Sequence, residues 1–424
     1  MNAIVTNAVQ RSLGRMFPGW FSLSDKHDHY KDFGWPDQVT FDHFYRMYSR
    51  NGIAAAAVDL TAAKTWESNP KIWESIKPAE TQDEEDIRRA FAKLRVWQKM
   101  AEADKRSMVG EYAGVILRLR DSKNFDQPVD RVAGGLDGIA ELIPAWQGQL
   151  TVSNWGEDPR SENYGKPTMY QFTESAVGDQ QQPRSFHVHP DRVLIWSDDG
   201  TVNCQSMLQP GYNDLIDMEK IKGAGGEGFW KTTKGTFTFE ADAGVTPAQV
   251  AEGMGVPVSG LQDALNDQVN AVNRGFDPAL MTGGFKAKAL AYPLPQPEQF
   301  FFAPLSSFAA SFLIPVKILI GNQTGERAST EDARSWAQRC NSRRVNRCLP
   351  IIHEFLERLV QWGILAPMDW HVEWDDLTEA STSEKTERAK AWSDMNAQTQ
   401  PGDDPPFTSE EIREVAGAPP RAVD

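Results

Sequence analysis

The sequence predicts an α+β fold, with its sheet in the middle third of the chain and helices on either side. Three observations carry this. Apolar residues recur at helical spacing before residue 105. Short β-branched and aromatic runs divided by Gly, Pro and Asn fill residues 114–196, and long helical runs return from residue 212. With 424 residues, 40% of them hydrophobic, the chain has material for two or three modules.

The elements follow in order. Thr40 is placed to cap a helix reaching Tyr48, and Gly52 to Trp66 is an alanine-rich helical run. Asp83 to Lys105 reads as one amphipathic helix, with Ile87, Ala90, Phe91, Leu94, Trp97 and Ala101 on one stripe. Its opening DEED suits the positive end of the helix dipole. Strands are expected at Gly114–Arg120, Gly148–Val152, Thr168–Phe172 and Arg192–Trp196. Tyr212 to Lys222 is helical and runs into GAGGEG, which is either a break or a helix packed closely against neighbours. A β-rich TFTFEAD, a helix from Ser259 to Arg274 and the strand-like KAKALAYPL come next. The apolar helix Pro297–Leu313 then leads through the polar GNQTGERAST to a long helix from Thr330. Pro350 should kink this helix, whose stripe includes Trp336, Val345, Ile352, Phe355, Leu356 and Leu359. The end is polar, with a charged helix at Ser383–Met395 and a capping box at Thr408-x-x-Glu411.

Composition removes several function classes. The net charge of -15 argues against a conventional DNA-binding protein, whose affinity comes from phosphate neutralisation. An acidic protein that handles DNA would be a conduit for it or a partner of one. Cys204, Cys340 and Cys348 are the only cysteines, without CxxC spacing, so neither a disulfide framework nor a zinc site is expected. The first residues lack the apolar core of a secretory signal. Phe300 to Ile320 is long enough to span a bilayer, but Pro304, Pro315, three serines and Lys317 interrupt it; a helix buried between protein layers is the better account.

No catalytic motif survives inspection, and no enzyme, cofactor or metal is expected. In GAGGEGFWKTT the glycine a phosphate loop needs before its lysine is Trp230. Gly134-Gly135-Leu136-Asp137-Gly138 is a turn and not a dinucleotide fingerprint. His187 and His189 share one strand face without a third ligand, so a structural pair is the expectation.

One order of segments resembles a known family. Phe186-His187-Val188-His189-Pro190-Asp191-Arg192-Val193-Leu194 looks like the HPxRV strand closing the first module of phage portal proteins. Ile314-Pro315, Leu319-Ile320-Gly321 and Thr324-Gly325-Glu326 resemble that family's Ile-Pro, Leu-Ile/Phe-Gly and Thr-Gly-Glu block. The stretch DHFYRMYSRNGIAAAAVDLTAAKTW is similar to the family's opening, and the likeness covers roughly Trp35 to Leu365.

The resemblance implies a portal fold: an α/β wing, a helical stem, a β-containing clip and a C-terminal helical crown, assembled as a cyclic, dodecameric ring around a DNA channel. Its parts map as a flexible arm (1–34), wing (35–210), descending stem helix (211–232), clip (233–292), ascending stem helix (293–314), tunnel loop (315–329), long kinked helix (330–375) and crown and tail (376–424). Two departures are the glycine run in the stem and a clip longer than usual. The partners implied are further copies of the chain, double-stranded DNA, the terminase large subunit, a head-tail adaptor or connector, and major capsid or scaffold protein. There is no membrane partner. The expected location is the capsid portal vertex, after synthesis in the host cytoplasm.

Lys317, Asn322, Gln323, Thr324 and Arg327 are then the candidates to face DNA in the tunnel loop; the plain alternative is a solvated surface loop. Arg334, Arg339, Arg343, Arg344 and Arg347 make the next helix unusually Arg-rich for an acidic chain. They either face DNA or, the favoured reading, pair with carboxylates of a neighbouring subunit, a head-to-tail contact that closes a ring. Two rivals are carried. One is a minor capsid or head-tail adaptor protein without a channel. The other is a two-histidine phosphodiesterase, which needs His-x-Thr/Ser motifs that none of the seven histidines provides.

Overall fold

Residues 114–117, Gly-Val-Ile-Leu, are buried on both sides of the strand they form, and the larger part of the molecule is organised around them. The computed structural model describes residues 29–74, 81–174, 184–234, 236–241, 244–273, 285–290, 297–321, 326–378, 382–397 and 406–416. The chain divides into two units: residues 1–38 with 210–311, and residues 39–209 with 312–424.

Helix α1 (His29–Phe33) belongs to the smaller unit. The larger unit starts with α2 (Phe41–Arg50), where the Thr40 N–H donates to His43 Nδ1 at 3.1 Å. Asn51 then caps α3 (Gly52–Thr65), accepting from the Ile53 and Ala54 N–H groups at 3.0 and 3.3 Å. A short β1 (Lys71–Trp73) precedes α4 (Gln82–Leu94), which opens on a Thr81–Glu84 capping box. The single helix expected over Asp83–Lys105 is in fact two. Arg95, at φ 54°, turns α4 into α5 (Val96–Val109). The turn allows Phe91 of α4 and Val96 and Met100 of α5 to enter one core, and arginine, a good helix former, gives no warning of it.

Six strands follow: β2 (Ala113–Leu119), β3 (Ile139–Trp146), β4 (Leu150–Trp155), β5 (Pro167–Thr173), β6 (Ser185–Val188) and β7 (Val193–Trp196). They make two antiparallel three-stranded sheets, ordered β3-β2-β7 and β4-β5-β6. In β2, Ala113, Val115 and Leu117 join the helices in one core, while Ile116 joins Leu150, Tyr170 and Phe172 of the second sheet in another. This is why the strand is apolar without alternation. Gly114 is required there, because a Cβ would lie 2.2 Å from Leu150 Cδ2. Strand β3 escapes a sequence reading because it contains Pro144, which is tolerated on the sheet edge where β3 lies. Gly134 and Gly135, at φ 93° and 57°, form the turn expected before it.

The smaller unit takes up the chain with α6 (Tyr212–Lys234). The helix runs straight through GAGGEG, so of the two alternatives read from the sequence the break does not hold. A Cβ at Gly223, Gly226 or Gly228 would meet nothing within 4 Å. Strand β8 (Thr236–Ala241) pairs antiparallel with β9 (Phe285–Leu290), with α7 (Pro247–Gly253) and α8 (Leu261–Asn273) between them in sequence. The unit ends in α9 (Pro297–Phe312), which keeps Pro304 inside it.

Back in the larger unit, residues expected to be a loop hold α10 (Val316–Ile320). The long helix α11 (Glu326–Arg343) starts before Thr330. The expected kink at Pro350 takes the form of a π turn over Arg344–Cys348, which then leads into α12 (Leu349–Gln361). Pro350 sits in the first turn of α12, where its missing N–H matters least. The π turn also rotates Val345 off the core stripe, leaving it 54% exposed, whereas Ile352, Phe355, Leu356 and Leu359 are buried. Strand β10 (His371–Glu373) pairs with β1, and α13 (Thr382–Ala397) and α14 (Ser409–Val415) are the last elements among the described residues. Thr408 and Glu411 form the expected capping box.

Candidate functional site

The HPxRV residues are a structural corner. The run Phe186–Leu194, expected to be one strand, is divided between the two sheets, β6 in one and β7 in the other. One turn of tight helix, Pro190–Arg192, carries the chain across, with His189 Nδ1 accepting from the Asp191 N–H at 3.2 Å. Arg192 folds back into the interior and forms an ion pair with Asp121, both side chains being 2% exposed. Its Nε donates to the Gln127 carbonyl at 3.2 Å, and its guanidinium lies 5.9 Å from the Phe125 ring. From α12, one nitrogen of Arg358 donates to the carbonyls of Pro190, Asp191 and Val193 at 3.1, 2.7 and 2.9 Å. The motif thus fixes where the chain changes sheet and ties that point to the central helix.

The Arg-rich helix is anchored in the same way. Asp104 of α5, with no exposure, accepts from Trp66 Nε1 at 3.0 Å and Trp196 Nε1 at 2.9 Å. Both its oxygens also accept from Arg343, by Nε at 3.3 Å and by a second, closer nitrogen. Burial weakens the Arg343 charge, but the carboxylate beside it more than offsets this, so its pKa is raised. Arg344 donates to the carbonyls of Thr65 at 2.6 Å and Asp375 at 2.5 Å and packs 4.6 Å from the Trp374 ring. Arg347 pairs with Asp198. Arg343, Arg344 and Arg347, candidates for the subunit interface from the sequence, have partners within the chain. A guanidinium projecting inward from this helix needs fixed acceptors, and α5, the end of α3 and the segment after β7 supply them. On the same helix Arg334 is exposed and Arg339 is half-buried. Cys340 and Cys348 are buried, and burial pushes the Cys340 thiol up to about 11 and that of Cys348 well above its usual value, as befits small core residues.

Of the tunnel-loop candidates, Lys317 is half-buried on α10 and Arg327 falls in the first turn of α11. Asn322, Gln323 and Thr324 lie outside the described residues. Gly321, at φ 73°, ends α10 and turns the chain toward them.

In the smaller unit the start of α6 and the end of α9 meet closely. A Cβ on Gly211 would lie 2.5 Å from Ser311 Oγ and 2.6 Å from Phe308 Cδ2, so only glycine fits. Asp214 of α6 accepts a hydrogen bond from Ser307 of α9; burial raises its pKa against that bond, and nearby Asp217 raises it further. Residues 29–35, most of which were expected to belong to a flexible arm, dock on α6. Trp35 Nε1 donates to Asp217 at 2.9 Å and Lys220 donates to the Phe33 carbonyl. Leu305, Phe308 and Ala309 bury one face of α9, while Phe300 and Phe302, nearer its start, are 66% and 56% exposed. Among the described residues no helix is long and apolar enough to cross a membrane, and no cluster of His, Cys, Asp and Glu is arranged to hold a metal.

Sequence reasoning missed Asp104, Asp121 and Arg358. Each is an ordinary charged residue of a helix or turn until the partner brought from far along the chain is known.

No curated protein sequence matches the chain. Among solved structures, a chain from the neck of an empty gene transfer agent particle computed with C6 symmetry is 15% identical, with a TM-score of 0.51. The match covers 90% of this chain and 94% of that one, and it shows a shared fold. A chain from the virion of the native gene transfer agent particle is 16% identical over 91% of this chain and 95% of that one, at a TM-score of 0.49. The model of one family, described as phage portal protein, matches residues 43–397. By that match, which spans most of both units, the chain belongs to the phage portal protein family.

Proposed function

We propose that this chain forms a dodecameric ring at one capsid vertex, through which double-stranded DNA is packaged, retained and ejected. The terminase large subunit docks on this ring during packaging, and a head-tail adaptor replaces it afterwards. The protein is a structural conduit and not an enzyme. Major capsid or scaffold protein surrounds it at the vertex.

One observation carries the ring. Helix α9 is apolar on more than the face it buries, and Phe300 and Phe302 are left exposed in a chain of net charge -15. A helix apolar all round belongs in an interior, and no described helix suits a membrane. Neighbouring copies of the chain supply that interior. In this reading α6 and α9 are the descending and ascending stem helices, and β8, β9 and the helices between them form the clip. The larger unit holds the wing, with α13 and α14 as the crown. Arg334 and Arg339 remain for the neighbouring subunit.

Residues 315–329 are the segment that meets DNA. An acidic conduit avoids trapping the duplex, because each tight phosphate contact would hold back a moving genome. Lys317, Asn322, Gln323, Thr324 and Arg327 give it a few donors that keep the duplex centred.

Two variants test these assignments. Phe300→Asp with Phe302→Asp should leave a folded chain that no longer forms rings by size-exclusion chromatography with light scattering; rings of unchanged stability would contradict the stem assignment. Lys317→Ala, Asn322→Ala, Gln323→Ala and Arg327→Ala together should leave rings intact and lower the DNA packaged or retained. Loss of assembly would instead make residues 315–329 a structural element.

A further inference from the structure

Beside the docked residues 29–35, helices α6 and α9 frame a groove of about 530 Å³. Its apolar walls are Phe33, Trp35, Ile221, Ala303 and Pro304. Its polar lining is matched within the unit. Asp217 accepts from Trp35 Nε1 and lies 3.6 Å from Lys220 Nζ, Asp214 accepts from Ser307, and Lys220 donates to the Phe33 carbonyl. Each of these groups has a partner, so what the groove lacks is an apolar occupant.

The same helix carries an apolar group that faces the other way. At roughly 100° per residue, Phe302 lies about 150° around α9 from the mean direction of Ala303, Pro304 and Ser307. It is 56% exposed. Phe300, also exposed, falls on the stripe of the groove itself, one turn before Ala303 and Pro304, and extends its wall. A knob and a hole on opposite sides of one helix match copies head to tail, the heterologous contact that closes into rings.

We infer that Phe302 of each copy seats in the α6–α9 groove of the next copy, against Trp35, Ile221 and the Phe300 ring at its rim. The occupant is thus a second copy of this chain. The inference rests on the portal reading and adds to it the receiving surface and the direction of the contact. An aromatic ring seated in this way buries about 150–250 Å², and its edge or face meets the aromatic walls.

Cysteine cross-linking of the full-length protein, in the assembly it forms, tests the contact. The background is Cys204→Ser, since Cys340 and Cys348 are buried. Phe302→Cys with Ile221→Cys, treated with a short bismaleimide, should give a ladder of covalent multimers reaching the size of the ring on denaturing gels. Either replacement alone should give none. Ser306→Cys with Ile221→Cys keeps Phe302 in place, because residue 306 lies one turn further along α9, and should give the same ladder. Rings seen by electron microscopy, with no ladder from either pair, would overturn the contact and leave the portal reading standing. A ladder from Ile221→Cys alone would overturn it as well, since it would set two grooves face to face. Folded, unmodified protein without rings would overturn the portal reading, and this inference with it.

Discussion

Replacing Asp104 by alanine should destabilise the larger unit by about 3–5 kcal/mol, the usual loss when one partner of a buried ion pair is removed. Asp104 is wholly buried and accepts from Trp66, Trp196 and both donor sites of Arg343. Without it a guanidinium and two indole N–H groups are left in a dry interior, and each seeks water by opening the junction of α5, α11 and β7. Asp104→Asn should fall in between, since an amide keeps one acceptor oxygen but turns the other site into a donor facing donors. Urea unfolding, with both variants compared at the same protein concentration, measures this. A loss below about 1 kcal/mol, the scale of an exposed pair, would mean that the pair is solvated.

Arg192→Ala should have a comparable effect for the mirror-image reason. It strands the Asp121 carboxylate, 2% exposed, and frees the Gln127 carbonyl at the point where the chain passes from β6 to β7. The expected loss is again about 3–5 kcal/mol. A double replacement, Arg192→Met with Asp121→Leu, should recover most of it, because apolar residues of similar size often substitute for a buried pair without loss. Thermal unfolding of the two single variants and the double variant completes the cycle. Equal losses in the Arg192 single variant and the double variant would place the importance of Arg192 in its hydrogen bond to the Gln127 carbonyl and not in its charge.

These two pairs also mark the limit of what the sequence reveals. Local chemistry was legible. Thr408 with Glu411 starts a helix because a side-chain oxygen reaches a free N–H group three residues on. The apolar stripe of α12 follows helical spacing, and the doubly buried β2 reads as a continuous apolar run. The order of weak family motifs was legible too, and the family followed from it. What was hidden depends on partners far along the chain. Arg343 reads like an interface residue until Asp104, 239 residues away, is brought beside it. The left-handed turn at Arg95 is set by the core that α4 and α5 share, and the π turn at Arg344–Cys348 expresses the Pro350 kink in a form that the sequence does not specify. On the same helix Arg334 is exposed.

In the proposed function, this acidic, two-unit chain closes into a ring with a hole for DNA. Negative-stain electron microscopy of the purified protein, with two-dimensional class averages, tests it most directly. Cyclic, dodecameric rings around an open axial channel are the expected result. Monomers or small open oligomers, from protein shown to be folded by its cooperative unfolding, would contradict it.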